Sequence, residues 1–133
     1  MSEFHLIDVV FNDEDVLVQS LKEMGYTPIT SVHAKPLHGY QGDKREQKAH
    51  IIIPRSQVGS ASNDVGFERV GNGFKLHASE FDHQWRSGQK LKTLNKKYAE
   101  HKIGKEILKS GKYRITSRKE NKNGQVEINL VVR

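Results

Sequence analysis

Two Asn-Gly pairs, each lying between runs of β-forming residues, constrain the fold of this chain more than any other feature. The flanking runs are 65–67 and 74–76 for Asn72-Gly73, and 113–118 and 125–132 for Asn123-Gly124. Asn and Gly both tolerate the positive φ angles of a type I′ turn, which is the common connection of a two-residue hairpin. The sequence therefore predicts two antiparallel hairpins. The last strand alternates with polar residues and is predicted to face the core through Val126, Ile128, Leu130 and Val132.

The periodicity of apolar residues elsewhere in the chain predicts the remaining strands and helices. Residues 4–11 are β-forming, and Asn12 then follows as a predicted helix N-cap. Further strands are predicted at 29–33 and 48–54, and a long helix at 84–110. The order β-α-β-β-β-β-α-β-β over residues 1–133 predicts a single α+β domain. We expect a mostly antiparallel sheet with two helices packed on one face, a ferredoxin-like variant.

Residues 34–47 show no obvious period, and a long connection of this kind is often functional. Within it, Gly39 and Gly42 could let the backbone approach a ligand, and Tyr40 could serve as a platform. The alternative interpretation is a tight turn in which the same residues are structural and Tyr40 is half-buried. No helix start with Lys-Ser or Lys-Thr follows, so this is not a phosphate loop. The candidate loop residues are His38, Gly39, Tyr40 and Gly42.

The two parts of the chain carry opposite charge. Residues 1–83 hold 8 basic and 12 acidic residues, a net charge of −4, whereas residues 84–133 hold 14 basic and 4 acidic residues, a net charge of +10. The whole chain has a formal net charge of +6 and a pI near 9.6. Such a separation indicates an acidic partner for the second part, or a solvated basic surface that keeps the protein soluble.

The candidate partner-binding residues lie on the predicted long helix and on the hairpin after it. At 100° per residue, Lys102, Lys105 and Lys109 share one helix face, and burying unpaired lysines there would be costly. We therefore expect this face to be exposed and to meet water or an acidic surface. Cations at such spacing would also suit the phosphates of a nucleic acid. The complete set is Lys102, Lys105, Lys109, Arg114, Arg118 and Lys119.

The segment HASEFDHQW, residues 77–85, is the richest polar cluster. Its weak metal candidates, His77, Asp82 and His83, offer nitrogen and oxygen ligands that could bind zinc or a similar ion. Their spacing matches no established ligand pattern, and a polar connection between a strand and a helix explains them equally. We expect no bound metal and no cofactor.

Composition narrows the class of protein. Cysteine is absent, which excludes disulfides and thiol chemistry. No apolar run approaches the ~20 residues of a membrane span, and the start lacks the basic residues of a signal peptide. We expect no membrane association and a location in the cytoplasm, or its equivalent in a plastid stroma or a phage-infected cell.

Neither a nucleophile–base pair nor a Gly-rich cofactor loop is recognisable. The favoured interpretation is a small non-enzymatic binding or adaptor protein whose basic C-terminal half engages an acidic protein partner. Two alternatives stay open, direct binding of nucleic acid such as RNA or the ribosome, and a metal-dependent enzyme.

Several segments, in this order and spacing, resemble an uncharacterised family that includes the hypothetical chloroplast reading frame thirty-five protein of plastids and cyanobacteria. The matching segments are MSEFHLI (1–7), HGYQG (38–42), NDVGFERVGNGFKLHASEFD (63–82), KKYAEHKIGKEILKSGKYRI (96–115) and NGQVEINLVVR (123–133). Glu3 and His38 stand where the family pattern has histidine and arginine. The resemblance covers nearly the whole chain and implies no activity.

Overall fold

The computed structural model describes residues 3–111, 113–120 and 126–132. The helices are α1 Glu14–Glu23, α2 Arg55–Val58, α3 His83–Arg86 and α4 Gln89–Ser110. The strands are β1 Phe4–Phe11, β2 Ile29–His38, β3 Lys44–Ile53, β4 Val65–Val70, β5 Gly73–Ser79, β6 Tyr113–Glu120 and β7 Val126–Val132. None of the helices within these ranges is both long enough and apolar enough to cross a membrane.

The first five strands form one antiparallel sheet in the order β1-β5-β4-β3-β2, and β6 pairs with β7 in a separate antiparallel sheet. The predicted α+β class with a mostly antiparallel sheet is confirmed. In this strand order β1 forms one edge of the five-stranded sheet beside β5, and β2 forms the other edge. Four predicted core residues of β7 have side chains outside the described part of the chain, namely Val126, Ile128, Leu130 and Val132.

Helices α1 and α4 pack against each other on one face of the sheet, where the main core lies. Leu17 and Leu21 of α1 and Leu94 of α4 are completely buried there with Phe67 of β4. The core places apolar side chains of alternate strand positions against the apolar face of α1 and the buried residues in the first half of α4.

Helix α1 is capped by Asp13 and not by Asn12, which corrects the predicted boundary by one residue. The Asp13 carboxylate accepts a hydrogen bond of 3.2 Å from the N–H of Val16. Asn12 instead pairs with Tyr98 of α4, whose hydroxyl donates to Asn12 Oδ1 at 2.9 Å and accepts from the Asn12 N–H at 2.9 Å. The start of α1 is therefore fixed by α4 as well as by its own cap.

The predicted helix over residues 84–110 is interrupted at Gly88 and is continuous through Gly104. At Gly88 an added Cβ would lie 2.8 Å from the carbonyl oxygen of His83 and 2.9 Å from Cα of Gln84, so the chain turns where only glycine fits. Beyond Tyr98, no described side chain of α4 is buried, and Ile103 and Leu108 are exposed. The second half of α4 thus lies at the surface.

The hairpin predicted at Asn72-Gly73 is confirmed as β4 and β5, but its turn differs from the predicted type. Val70 pairs with Gly73, so the two loop residues are Gly71 and Asn72. The positive φ falls on Gly71, at 61°, and the described non-glycine residues all have negative φ. Glycine at the first loop position is typical of a type II′ turn.

Residues 34–47 are not an irregular loop, because β2 extends to His38 and β3 begins at Lys44. The tip of this hairpin folds over the sheet face opposite α1 and α4, here called the open face. Leu37 is completely buried there in a second small core with Ala49 and Ile52. An added Cβ on Gly66 would lie 2.7 Å from both Leu37 Cδ2 and Ala49 Cβ, so Gly66 lets the hairpin lie close to the sheet.

Candidate functional site

A cleft of about 770 Å³ opens where the folded hairpin meets the start of α2 and the residue before β4. Three nitrogen-bearing side chains line it, those of Lys35, His38 and Arg55. Ile29 and Ile52 contribute apolar surface beside them. We call this site the basic cleft. Its mixture of apolar surface and a few polar groups, and its volume, are typical of ligand sites.

Asp64 joins the three segments that form the basic cleft. Its buried carboxylate accepts from the N–H of Arg55 at 2.7 Å through Oδ1 and from the N–H of His38 at 2.8 Å through Oδ2. The N–H of Asp64 donates to the carbonyl of His38 at 2.9 Å, and His38 Nδ1 lies 3.5 Å from Oδ2. Because backbone donors satisfy both oxygens, Asp64 fixes the walls of the cleft.

The guanidinium of Arg55 is oriented by the hairpin tip. Its Nη1 donates to the carbonyl oxygen of Tyr40 at 2.9 Å. Gly42 has a φ of 81°, and a Cβ there would lie 3.3 Å from Arg55 Nη2. Within the described residues no carboxylate pairs with this guanidinium, so most of its five N–H donors stay available to a ligand.

The four candidate loop residues thus lie close together, although they take different roles. His38 and Gly42 line the basic cleft, and Tyr40 is half-buried and offers its carbonyl to Arg55. Gly39 is buried against the guanidinium of Arg45, which would have to shift to admit a side chain there. Three residues of the site were missed from the sequence, namely Lys35, Arg55 and Asp64. No local pattern marks them, because only the folding of the hairpin brings them together.

The predicted basic face of α4 is largely paired within the molecule. Lys102 and Lys105 approach Asp13 Oδ2 at 3.4 and 2.6 Å, and Lys102 also lies 3.2 Å from Glu106. Lys102 is half-buried, so the expectation that all three lysines of this face are exposed is wrong for it. The acidic surface that the face meets is therefore, in part, the N-terminus of α1.

The remaining candidate cations differ in their surroundings. Arg118 pairs with Glu100 at 2.8 Å and lies 3.9 Å from Glu120, which also pairs with Lys96. Lys109 is exposed, and no carboxylate pairs with it in the described part of the chain. The side chains of Arg114 and Lys119 lie outside the described residues.

These ion pairs shift the pKa values of their members. Burial acts to raise the pKa of Asp13, but hydrogen bonds from Lys105, from the Val16 N–H and from Lys102 outweigh it and hold the pKa below its usual value. The ion pair with Lys96 lowers the pKa of Glu120. Hydrogen bonding to Glu106, with Asp13 contributing, raises the pKa of Lys102.

We expect Asp13→Asn to lower the stability of the protein at neutral pH and not in acid. Asparagine retains the cap of α1 but loses the charge that attracts Lys102 and Lys105. A carboxylate with a lowered pKa stabilises the fold above its unfolded pKa, and this contribution disappears as pH falls through the folded pKa. Urea unfolding of both proteins from about pH 7 to about pH 3 should therefore show a difference that closes below about pH 4. A difference that is constant with pH would contradict the ion pairs.

The three weak metal candidates do not form a group of metal ligands in the described part of the chain. His77 is buried on β5 and its Nε2 lies 2.8 Å from Glu68 Oε1. Asp82 caps α3 by accepting from the N–H of Trp85 at 3.1 Å, and His83 is exposed. Among the described residues, the one group of three possible metal ligands is Glu3, His5 and Glu80, whose donor atoms lie within 4.8 Å of one another.

Comparison with known proteins identified a matching family model but no matching individual protein. Searches of curated proteins and of solved structures each found no match. Residues 20–129 match the model of a family described as Protein of unknown function (DUF1257). The matched range includes the last turn of α1, all of β2 to β5 and both walls of the basic cleft. Because the match covers most of its length, the chain belongs to this family of proteins of unknown function.

Proposed function

We propose that this chain is a non-enzymatic binding protein that captures an acidic segment of a partner protein in the basic cleft. The observation that carries the proposal is a contrast in charge pairing. Lys35 and Arg55 have no carboxylate partner among the described residues, whereas Lys102, Lys105 and Arg118 each have one or two. A ligand carboxylate would supply the missing partner in the cleft.

The chemistry of the cleft supports a peptide over a nucleic acid. Unpaired cations beside apolar surface are costly to desolvate, and a carboxylate of the partner would offset that cost. Ile29 and Ile52 would receive an apolar side chain of the same segment. A nucleic acid would gain from a ring on which a base can stack, and among the described residues no Phe, Tyr or Trp lines this cleft.

In this proposal the basic second part of the chain attracts the acidic partner over distance. Charges of this kind raise the rate of association more than they raise affinity. We assign this role to Lys102, Lys105, Lys109, Arg114, Arg118 and Lys119, whose net charge remains positive in spite of the internal ion pairs.

We also infer that the chain is related, within its family, to the reading-frame proteins of plastids and cyanobacteria. The resemblance at HGYQG, residues 38–42, supports this, and His38 and Gly42 of this segment line the basic cleft. His38, which stands in place of the arginine of those proteins, would then tune the ligand preference of this chain.

The double variant Lys35→Gln/Arg55→Gln tests the cleft directly. The probe is a labelled peptide that carries adjacent glutamates and one leucine, and its affinity is measured by fluorescence anisotropy. We expect the variant to bind at least about tenfold more weakly than the wild type, because a ligand carboxylate loses both cationic partners.

A control with the same loss of charge separates the cleft from general electrostatics. Lys92 and Lys97 of α4 have no carboxylate partner among the described residues and do not line the cleft. Lys92→Gln/Lys97→Gln should retain wild-type affinity within about twofold, with only a slower association at low salt. Equal loss of affinity in the two double variants, or no binding of the peptide to the wild type, would contradict the proposal. Circular dichroism establishes that both variants are folded.

A further inference from the structure

A second pocket, of about 410 Å³, lies beside α3 and the start of α4. Three aromatic rings line it, those of Tyr26, Phe81 and Trp85. The Tyr26 and Trp85 rings lie 5.7 Å apart between centroids, at 53°. We call this site the aromatic pocket. It is separate from the basic cleft and shares no lining residue with it.

Phe81 is the unusual member of this pocket. Its side chain is 68% exposed, whereas Trp85 is 1% exposed. The backbone at Phe81 is held in place, because its N–H donates to Ser79 Oγ at 3.2 Å and the next residue, Asp82, caps α3. An exposed aromatic ring on an ordered backbone can stack on a flat ligand, and only its two side-chain torsions then need to be ordered.

The rim of the aromatic pocket is positive. Lys90 lines it, with Nζ 5.9 Å from the centre of the Tyr26 ring, and no carboxylate pairs with this lysine among the described residues. Helix α4 begins beside it at Gln89, whose N–H donates to Gln84 Oε1 at 3.0 Å, and the first turn carries no acidic residue. The one carboxylate of the lining, Asp82, is engaged with the N–H of Trp85. An anionic group is therefore favoured at this rim.

We propose that the aromatic pocket binds a nucleotide. The base stacks on Phe81, and the phosphate lies toward Lys90 and the N-terminal end of α4. The volume is within the range of small-ligand sites and is at its smaller end. A free mononucleotide and one nucleotide of a single strand share this chemistry, since stacking on an aromatic ring beside a cation serves both.

Trp85 gives a direct readout, because it is the single tryptophan of the chain and forms a wall of the pocket. Its indole N–H gives one signal in a proton–nitrogen NMR correlation spectrum, free of interference from nucleotide absorbance. We expect titration with nucleoside monophosphates to shift this signal saturably. Inorganic phosphate alone, or a nucleoside without phosphate, should bind at least about tenfold more weakly than the nucleotide.

Two variants test the stacking on Phe81 and the attraction to Lys90 separately. Phe81→Ala should lower nucleotide affinity about tenfold and leave the melting temperature nearly unchanged, because the side chain is exposed. Lys90→Gln should weaken binding and reduce its dependence on salt. Lys35→Gln/Arg55→Gln should bind nucleotide as the wild type does, so failure of this site is distinguishable from failure of the basic cleft.

The source of the nucleotide follows from a short single-stranded oligonucleotide in the same titration. Tighter binding than the mononucleotide would indicate a nucleic acid strand, and equal binding would indicate a free nucleotide. An unmoved Trp85 signal at millimolar nucleotide would overturn the proposal. Equal affinity for nucleotide and nucleoside, or wild-type affinity in Phe81→Ala, would also overturn it.

Discussion

Asp64→Ala is expected to lower the free energy of unfolding by about 3 kcal/mol, because it leaves two backbone N–H groups without their acceptor. Those donors belong to His38 and Arg55, on opposite walls of the basic cleft. Urea unfolding measures the loss. Since the carboxylate also holds the hairpin tip against the sheet, the variant should bind the acidic peptide weakly even where it remains folded.

Asp64→Asn is the matched control for this effect. Asparagine keeps one acceptor oxygen in the same place, so one of the two backbone bonds survives and the loss should be about half as large. If alanine and asparagine lowered stability equally, the loss of charge alone would explain both results. A change in the alanine variant below about 0.5 kcal/mol would show that Asp64 does not hold the cleft together.

Gly66→Val is expected to destabilise the protein by about 3 kcal/mol through overpacking on the open face. A Cβ at this position would already lie 2.7 Å from Leu37 and Ala49, and valine adds two further methyl groups. Thermal unfolding measures the effect. Because the hairpin tip would be pushed away from the sheet, the basic cleft should open and lose peptide affinity together with stability.

A second substitution separates overpacking from the ordinary effect of replacing a glycine. Ala49→Gly removes one of the atoms that the new side chain meets, so it should recover part of the stability lost in Gly66→Val. Additive losses in the double variant would contradict the close contact between hairpin and sheet.

Elements with strong local signals are predicted well from the sequence. Acidic residues in the first turn and a glycine after the last turn define α1, and this glycine, Gly25, has a positive φ of 97°. The hairpin of β4 and β5 follows from apolar runs on either side of a turn. In each case the determining contacts lie within a few residues of one another.

The basic cleft could not be predicted, because its walls depend on contacts between distant parts of the chain. Near their shared turn the strands β2 and β3 are mostly polar, with an unbroken polar run at residues 44–48 of β3, and the absence of apolar alternation there conceals their β character. Their position on the open face depends on Leu37 packing beside Gly66. No periodicity of apolar residues in the local sequence indicates that contact.

The pairing of the α4 lysines was hidden for the same reason. A count of charges finds the excess in residues 84–133 but does not show which cations already have partners. Asp13 is 89 residues before Lys102 in the sequence, and the two meet only because α1 packs against α4. The sequence therefore predicts an acidic partner, which stays a hypothesis, and it points to a surface whose cations are largely paired within the molecule.

The most direct test of the proposed function is to map where an acidic peptide contacts the wild-type protein by NMR titration. The account predicts saturable shifts of the backbone amides around the basic cleft, including those of His38, Gly42, Arg55 and Ser60. Shifts confined to the face of α4 that carries Lys102, Lys105 and Lys109, with the cleft amides unmoved, would contradict it.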